Sequence, residues 1–121
     1  MIIPSNFFFI DILKIFPDDI SCYIQAPTLA NKVIEDLFEN IEHNHLKVLH
    51  FDKSIKNIIV RQEIENSFSE YIIRIQIKAD GILVFEGYDG IEFGVISQKV
   101  NIPKWFEDLY IPDDCIISSE W

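Results

Sequence analysis

Apolar residues recur along this chain with two different periods. From Pro27 to His45, in PTLANKVIEDLFENIEHNH, Ala30, Val33, Ile34, Leu37, Phe38 and Ile41 fall at helical spacing and make one stripe. Asn31, Lys32, Glu35, Asp36, Glu39 and Glu42 take the opposite side, with Thr28 placed as an N-cap and Asn44 as a stop. A helix over about 28–43 is predicted. From Leu46 to Ser97 the chain reads as strands instead. LKVLHFD leads to a polar turn near KSIKN and to IIVRQEIE. After NSFSE comes YIIRIQIKA, where Tyr71, Ile73, Ile75 and Ile77 alternate with Ile72, Arg74, Gln76 and Lys78, the mark of a sheet with one buried face. ILVFEGY and IEFGVIS follow.

Residues 7–16 fit both periods. Phe8, Ile10 and Ile12 alternate, while Phe9, Ile12, Leu13 and Phe16 make a helical stripe. The β-branched and aromatic content favours a strand, ended by Pro17-Asp18-Asp19. Near the other end, Asn101 and Pro103 before Trp105, Phe106 and Leu109 predict a short helix over 103–110. IPDDCIISSEW then continues as an extended tail to Trp121. The expected architecture is a single α+β domain over 1–121: an antiparallel meander of about five strands, one long helix on one face, and a short C-terminal helix.

All four glycines lie in DGILVFEGYDGIEFG. Asp80-Gly81 and Asp89-Gly90 stand between strand-like runs, which predicts two-residue hairpin turns with positive φ. Gly87 and Gly94 read as bulges or close backbone approaches within strands. These glycines lead into strands, whereas a phosphate loop leads into a helix N-terminus. Asp80, Glu86, Asp89 and Glu92 miss the alternate oxygen spacing of a calcium loop.

Composition adds an asymmetry. The 121 residues carry 20 acids and 10 bases, a net charge of −10. Residues 80–121 alone hold nine acids against Lys99 and Lys104. Such a field repels nucleic acid and attracts a basic protein. Cys22 and Cys115 are too few and too far apart for a disulfide framework or a zinc site, and read as buried thiols. The apolar stretch MIIPSNFFFIDILKIF has no base before Lys14, a Pro at position 4 and Asp11 inside it, unlike a signal peptide or a membrane span. A cytoplasmic protein is expected.

No catalytic centre emerges. His43-Asn44-His45 spells the name of a nuclease family whose residues are dispersed over a fold, and here the letters are merely contiguous. With His50, these histidines could bind metal, but no Cys or carboxylate stands at ligand spacing. Ser118 and Ser119 lack a nearby His, and Asp113-Asp114 before Cys115 would raise a thiol's pKa. The pairs Asp18-Asp19 and Asp113-Asp114 are consecutive, so their side chains diverge in an extended segment. What remains is a surface: acids interleaved with aromatic residues, the composition of a protein interface. Its candidate residues are Glu86, Tyr88, Asp89 and Glu92 around the second hairpin, Glu107 and Asp108 on the short helix, Asp113 and Asp114 in the tail, and Trp121.

VFEGYDGIEFGVIS followed by IPKWFEDLY, in a small acidic α+β chain, resembles the immunity proteins of bacterial polymorphic toxin systems, including contact-dependent growth inhibition. The resemblance implies a non-catalytic protein without cofactor that binds one cognate toxin domain, often a basic nuclease. Two other readings stay open: a small hydrolase whose carboxylates meet only in three dimensions, and an acidic adaptor or nucleic-acid mimic.

Overall fold

The computed structural model describes residues 6–40 and 47–121. The fold is α+β, a mixed and mostly antiparallel sheet with four α-helices among the described residues. The helices are α1 (Phe7–Ile15), α2 (Lys32–Glu35), α3 (Lys53–Glu65) and α4 (Lys104–Tyr110). The strands are β1 (Ser21–Gln25), β2 (Glu39–Asn40), β3 (Lys47–His50), β4 (Arg74–Ala79), β5 (Ile82–Tyr88), β6 (Phe93–Ile96) and β7 (Cys115–Ile117). They lie in the order β2-β3-β1-β4-β5-β6-β7, and among the described residues only β6 and β7 run parallel.

Residues 7–16, expected as a strand, form the helix Phe7–Ile15, with Phe16 as its extended C-cap. Asn6 decides this locally, since its side chain accepts from Phe9 N at 3.0 Å and caps the first turn. The helix then buries Phe8, Phe9, Ile12 and Leu13. The helix expected over 28–43 contracts to the single turn α2, capped by Asn31 and not by Thr28. Ile34 is buried, but Ala30 and Val33 of the proposed stripe face solvent, and the chain turns at Asp36 toward β2. Residues 41–43, the stop Asn44 and the metal candidates His43 and His45 lie outside the described residues.

The long helix is α3, formed where a turn and a strand were expected. Asp52 Oδ1 accepts from Ile55 N at 2.8 Å and starts it. Its inner side holds Lys56, Ile59 and Glu63, two charged residues among three, so the apolar stripe that marks a helix is broken. Lys56 lays its stem into the fold and donates from Nζ to Phe16 O at 2.8 Å.

The β4–β5–β6 meander follows its alternation. Ile75, Ile77 and Phe85 point into the core, where Phe85 meets Phe8 of α1 edge-on and Phe8 meets Phe106 of α4. α1 and α4 therefore cover this face. Asp80 (φ 51°) and Gly81 (φ 76°) form the expected two-residue turn. The second connection is longer than expected. Asp89, Gly90 and Ile91 all have positive φ (53°, 75° and 58°), and Tyr88 pairs with Phe93 across a four-residue loop, Asp89–Glu92. Gly87 and Gly94 are directly paired and make close approaches, while the register shift lies between Ile77 and Lys78.

Three strands were not anticipated as sheet members: β2, in the segment expected as a helix, β1 and β7. SCYIQ forms β1, which separates β3 from β4 and makes the sheet more than a meander. The extended tail supplies β7, reached from β6 through α4, the usual crossover for a parallel pair. The short helix at 103–110 is confirmed as α4, with Pro103 as its cap residue.

Candidate functional site

Strand directions give the sheet two distinct ends. One end holds the start of β4, the loop after β5, and the approach to β7. Three hydrogen bonds tie these segments together: Gly90 N donates to Ile72 O (2.8 Å), Asp89 N to Ile73 O (3.0 Å), and Gly94 N to Asp114 O (3.0 Å). The N-terminus of α1 closes the group, because Asn6 Nδ2 donates to the carbonyls of Gly90 (3.1 Å) and Ile91 (2.9 Å). Ile91 is buried by this loop and Glu92 is left exposed at its rim.

Five exposed acids meet here: Glu70, Asp89, Glu92, Asp113 and Asp114. None of the segments 66–73, 89–92 and 111–114 contains Lys or Arg. Glu70, in the 3-10 turn Ser69–Tyr71, escaped the sequence reading. Its place was nonetheless implied by the hairpin: Arg74 pairs with Tyr88, so the residues before Arg74 must adjoin those after Tyr88. Gly90 packs so closely on Glu70 that a β-carbon at Gly90 would lie 3.1 Å from Glu70 Cα. A cleft of about 550 Å³ opens between these segments, bounded by Glu70, Glu92 and Asp114, with Ser69, Ile91 and Phe8 in its wall.

The other candidate residues lie elsewhere. Glu86 and Tyr88 stand on the sheet face opposite α1 and α4, since they alternate with the core residues Phe85 and Gly87. There Glu86 Oε1 accepts from Gln76 Nε2 (2.7 Å) and Arg74 Nη2 (3.2 Å), and Oε2 accepts from the Tyr88 hydroxyl. Burial works against the Glu86 charge. The hydrogen bonds from Tyr88 and Gln76 and the Arg74 guanidinium together outweigh it and bring the carboxyl below its usual range. The Glu86 hydrogen bond, with burial, raises the Tyr88 phenol above its own. Both oxygens of Glu86 are engaged within the protein.

Glu107 and Asp108 are exposed on α4, where Asp108 pairs with Lys104 at 3.2 Å. Trp121 is at the far end of the sheet, past the C-terminal end of β6. Its main chain is fixed there, accepting from Gln98 N (2.9 Å) and donating to Ser118 Oγ (3.0 Å). The proposed single surface is thus four separate places: the sheet end with Asp89, Glu92, Asp113 and Asp114, the opposite face with Glu86 and Tyr88, α4 with Glu107 and Asp108, and the far end with Trp121.

The thiols are buried and unpaired. Burial pushes Cys115 up to about 12, with Asp114 adding to the effect, and pushes Cys22 higher still. His50 Nδ1 lies 2.8 Å from Ser21 Oγ. Among the described residues, no group of three His, Cys, Asp or Glu side chains is arranged to hold a metal, and no helix is long and apolar enough to cross a membrane. Compared with protein families, curated proteins and solved structures, the chain matches none.

Proposed function

We propose that this chain is a non-catalytic immunity-type inhibitor that acts in the cytoplasm and captures a basic toxin domain of the nuclease kind at the acidic end of its sheet. One observation carries the reading: carboxylates from three separate segments converge at that end, and those segments bring no base. Such a field accelerates encounter with a basic surface and aligns it before contact. The unpaired thiols suit a reducing compartment.

Titration against basic nuclease-type toxin domains across salt concentrations tests this. At least one should bind with an association rate that falls steeply with salt. Lys substitutions at Asp89, Glu92, Asp113 and Asp114 should slow association and flatten that dependence. The same change at Glu107 and Asp108 should not. A complex weakened only by the α4 set would show that the wrong surface has been assigned, and binding by none of the domains would remove the proposal.

A further inference from the structure

We infer that the acid-rimmed cleft is a socket for one guanidinium or ammonium group on the basic partner. This rests on the reading above and adds where the partner inserts. Two independent features point to an occupant. The first is the rim, where Glu70, Glu92 and Asp114 surround the opening of a recess. The second is Ser69 in its wall. Ser69 is 2% exposed, and its hydroxyl makes no hydrogen bond with any described residue although its main-chain N–H is taken by Glu63. Among the described residues no fully enclosed side-chain polar atom lacks a partner, so this hydroxyl is not sealed off, and Ser69 lines the cleft. A hydroxyl at the base of an anionic recess is an acceptor for an incoming N–H.

The walls favour a side chain over a bare metal ion. The edge of Phe8 offers apolar surface to the methylenes of Lys or Arg, and the rim carboxylates are not grouped as metal ligands. Behind the wall, Glu63 is fully buried. It accepts from Asn6 N (2.9 Å), Phe68 N (3.2 Å), Ser69 N (2.9 Å) and the Ser67 hydroxyl, and has no cationic partner among the described residues.

The probe is the tripeptide acetyl-Gly-Arg-Gly-amide, with acetyl-Gly-Glu-Gly-amide as control, followed by amide chemical shifts of the full chain. The Arg peptide should give saturable shifts centred on Ser69, Glu70, Ile91 and Glu92, and the Glu peptide none. Combined Glu70→Gln and Glu92→Gln should weaken Arg-peptide binding about tenfold or more, as expected when charge-assisted hydrogen bonds are lost. Ser69→Ala, which keeps the N–H to Glu63, should weaken it a few-fold, and Asp108→Asn on α4 should leave it unchanged. Shifts spread evenly over all acidic surface, or undiminished in these variants, overturn the socket. Peptide binding in the cleft with no toxin domain bound would support the socket and remove the immunity reading. A salt-sensitive toxin complex indifferent to Glu70→Gln, Glu92→Gln and Ser69→Ala would do the reverse.

Discussion

The ring of Phe85 fills the space that a side chain at Gly94 would occupy, one strand away. Gly94 is directly paired with Gly87, where a β-carbon would stand 2.9 Å from the Ile75 side chain. Two glycines opposite each other thus make room for one fully buried ring at the centre of the core. Gly94→Ala should cost ~1–3 kcal/mol, the usual penalty of overpacking. Denaturant unfolding measures it. Phe85→Leu should absorb part of the clash, so the double variant should lose less than the sum of the single losses.

Glu63 ties the start of α1, the end of α3 and the turn after it through main-chain donors. Glu63→Ala leaves those donors buried without an acceptor, at ~1–3 kcal/mol for each unsatisfied group. A loss of several kcal/mol is expected. Glu63→Gln retains one acceptor oxygen and should lose less. Equal stability of Glu63→Ala and the parent protein would remove this carboxylate from the supports of the fold.

On the sheet face opposite α1 and α4, the Glu86 carboxyl is held below its unfolded pKa, which is about 4.3. Its contribution to stability is therefore present above that pH and is lost as pH falls through the folded value. The stability gap between the parent protein and Glu86→Gln should be constant near neutrality and shrink in acid. Melting temperatures measured from neutral pH into the acid range test the sign.

Both thiols should resist a disulfide reagent in the folded protein at mildly alkaline pH, because burial keeps them protonated as well as enclosed. Unfolding should release them together. Rapid labelling of Cys115 under native conditions would mean that β7 detaches readily from the sheet.

The strands around the glycines were legible because alternation and turn chemistry agree there. Ile75 and Ile77 face inward, and Asp80-Gly81 adopts the paired positive φ that its residues favour. The helices were misread for two reasons: α1 buries a uniformly apolar side that also fits alternation, and α3 has an inner side that is not uniformly apolar. α3 buries the stem of Lys56 and a carboxylate, while the cleaner stripe from Ala30 to Ile41 yields only one described turn. Asp52 and Asn6 were the overlooked signals, since each caps a helix three residues before the backbone N–H it accepts. The site was legible only in parts. Glu92 and Asp113 share a sign and a third of the chain, but Glu70 joins them only through the pairing of β4 with β5. Trp121 looked available as a terminal aromatic residue, and main-chain bonds to Gln98 and Ser118 hold it at the opposite end.

The position of β1 sets the order in which the sheet can be assembled during synthesis. Both of its neighbours, β3 and β4, come later in the chain, and the second is complete only at Ala79. A nascent chain therefore carries β1 with an open edge until β4 has left the ribosome. The hairpin that follows closes by a two-residue turn and needs no such wait. Translation slowed between β3 and β4 would lengthen the interval in which Cys22 and Ile24, both core residues, can pair with another chain.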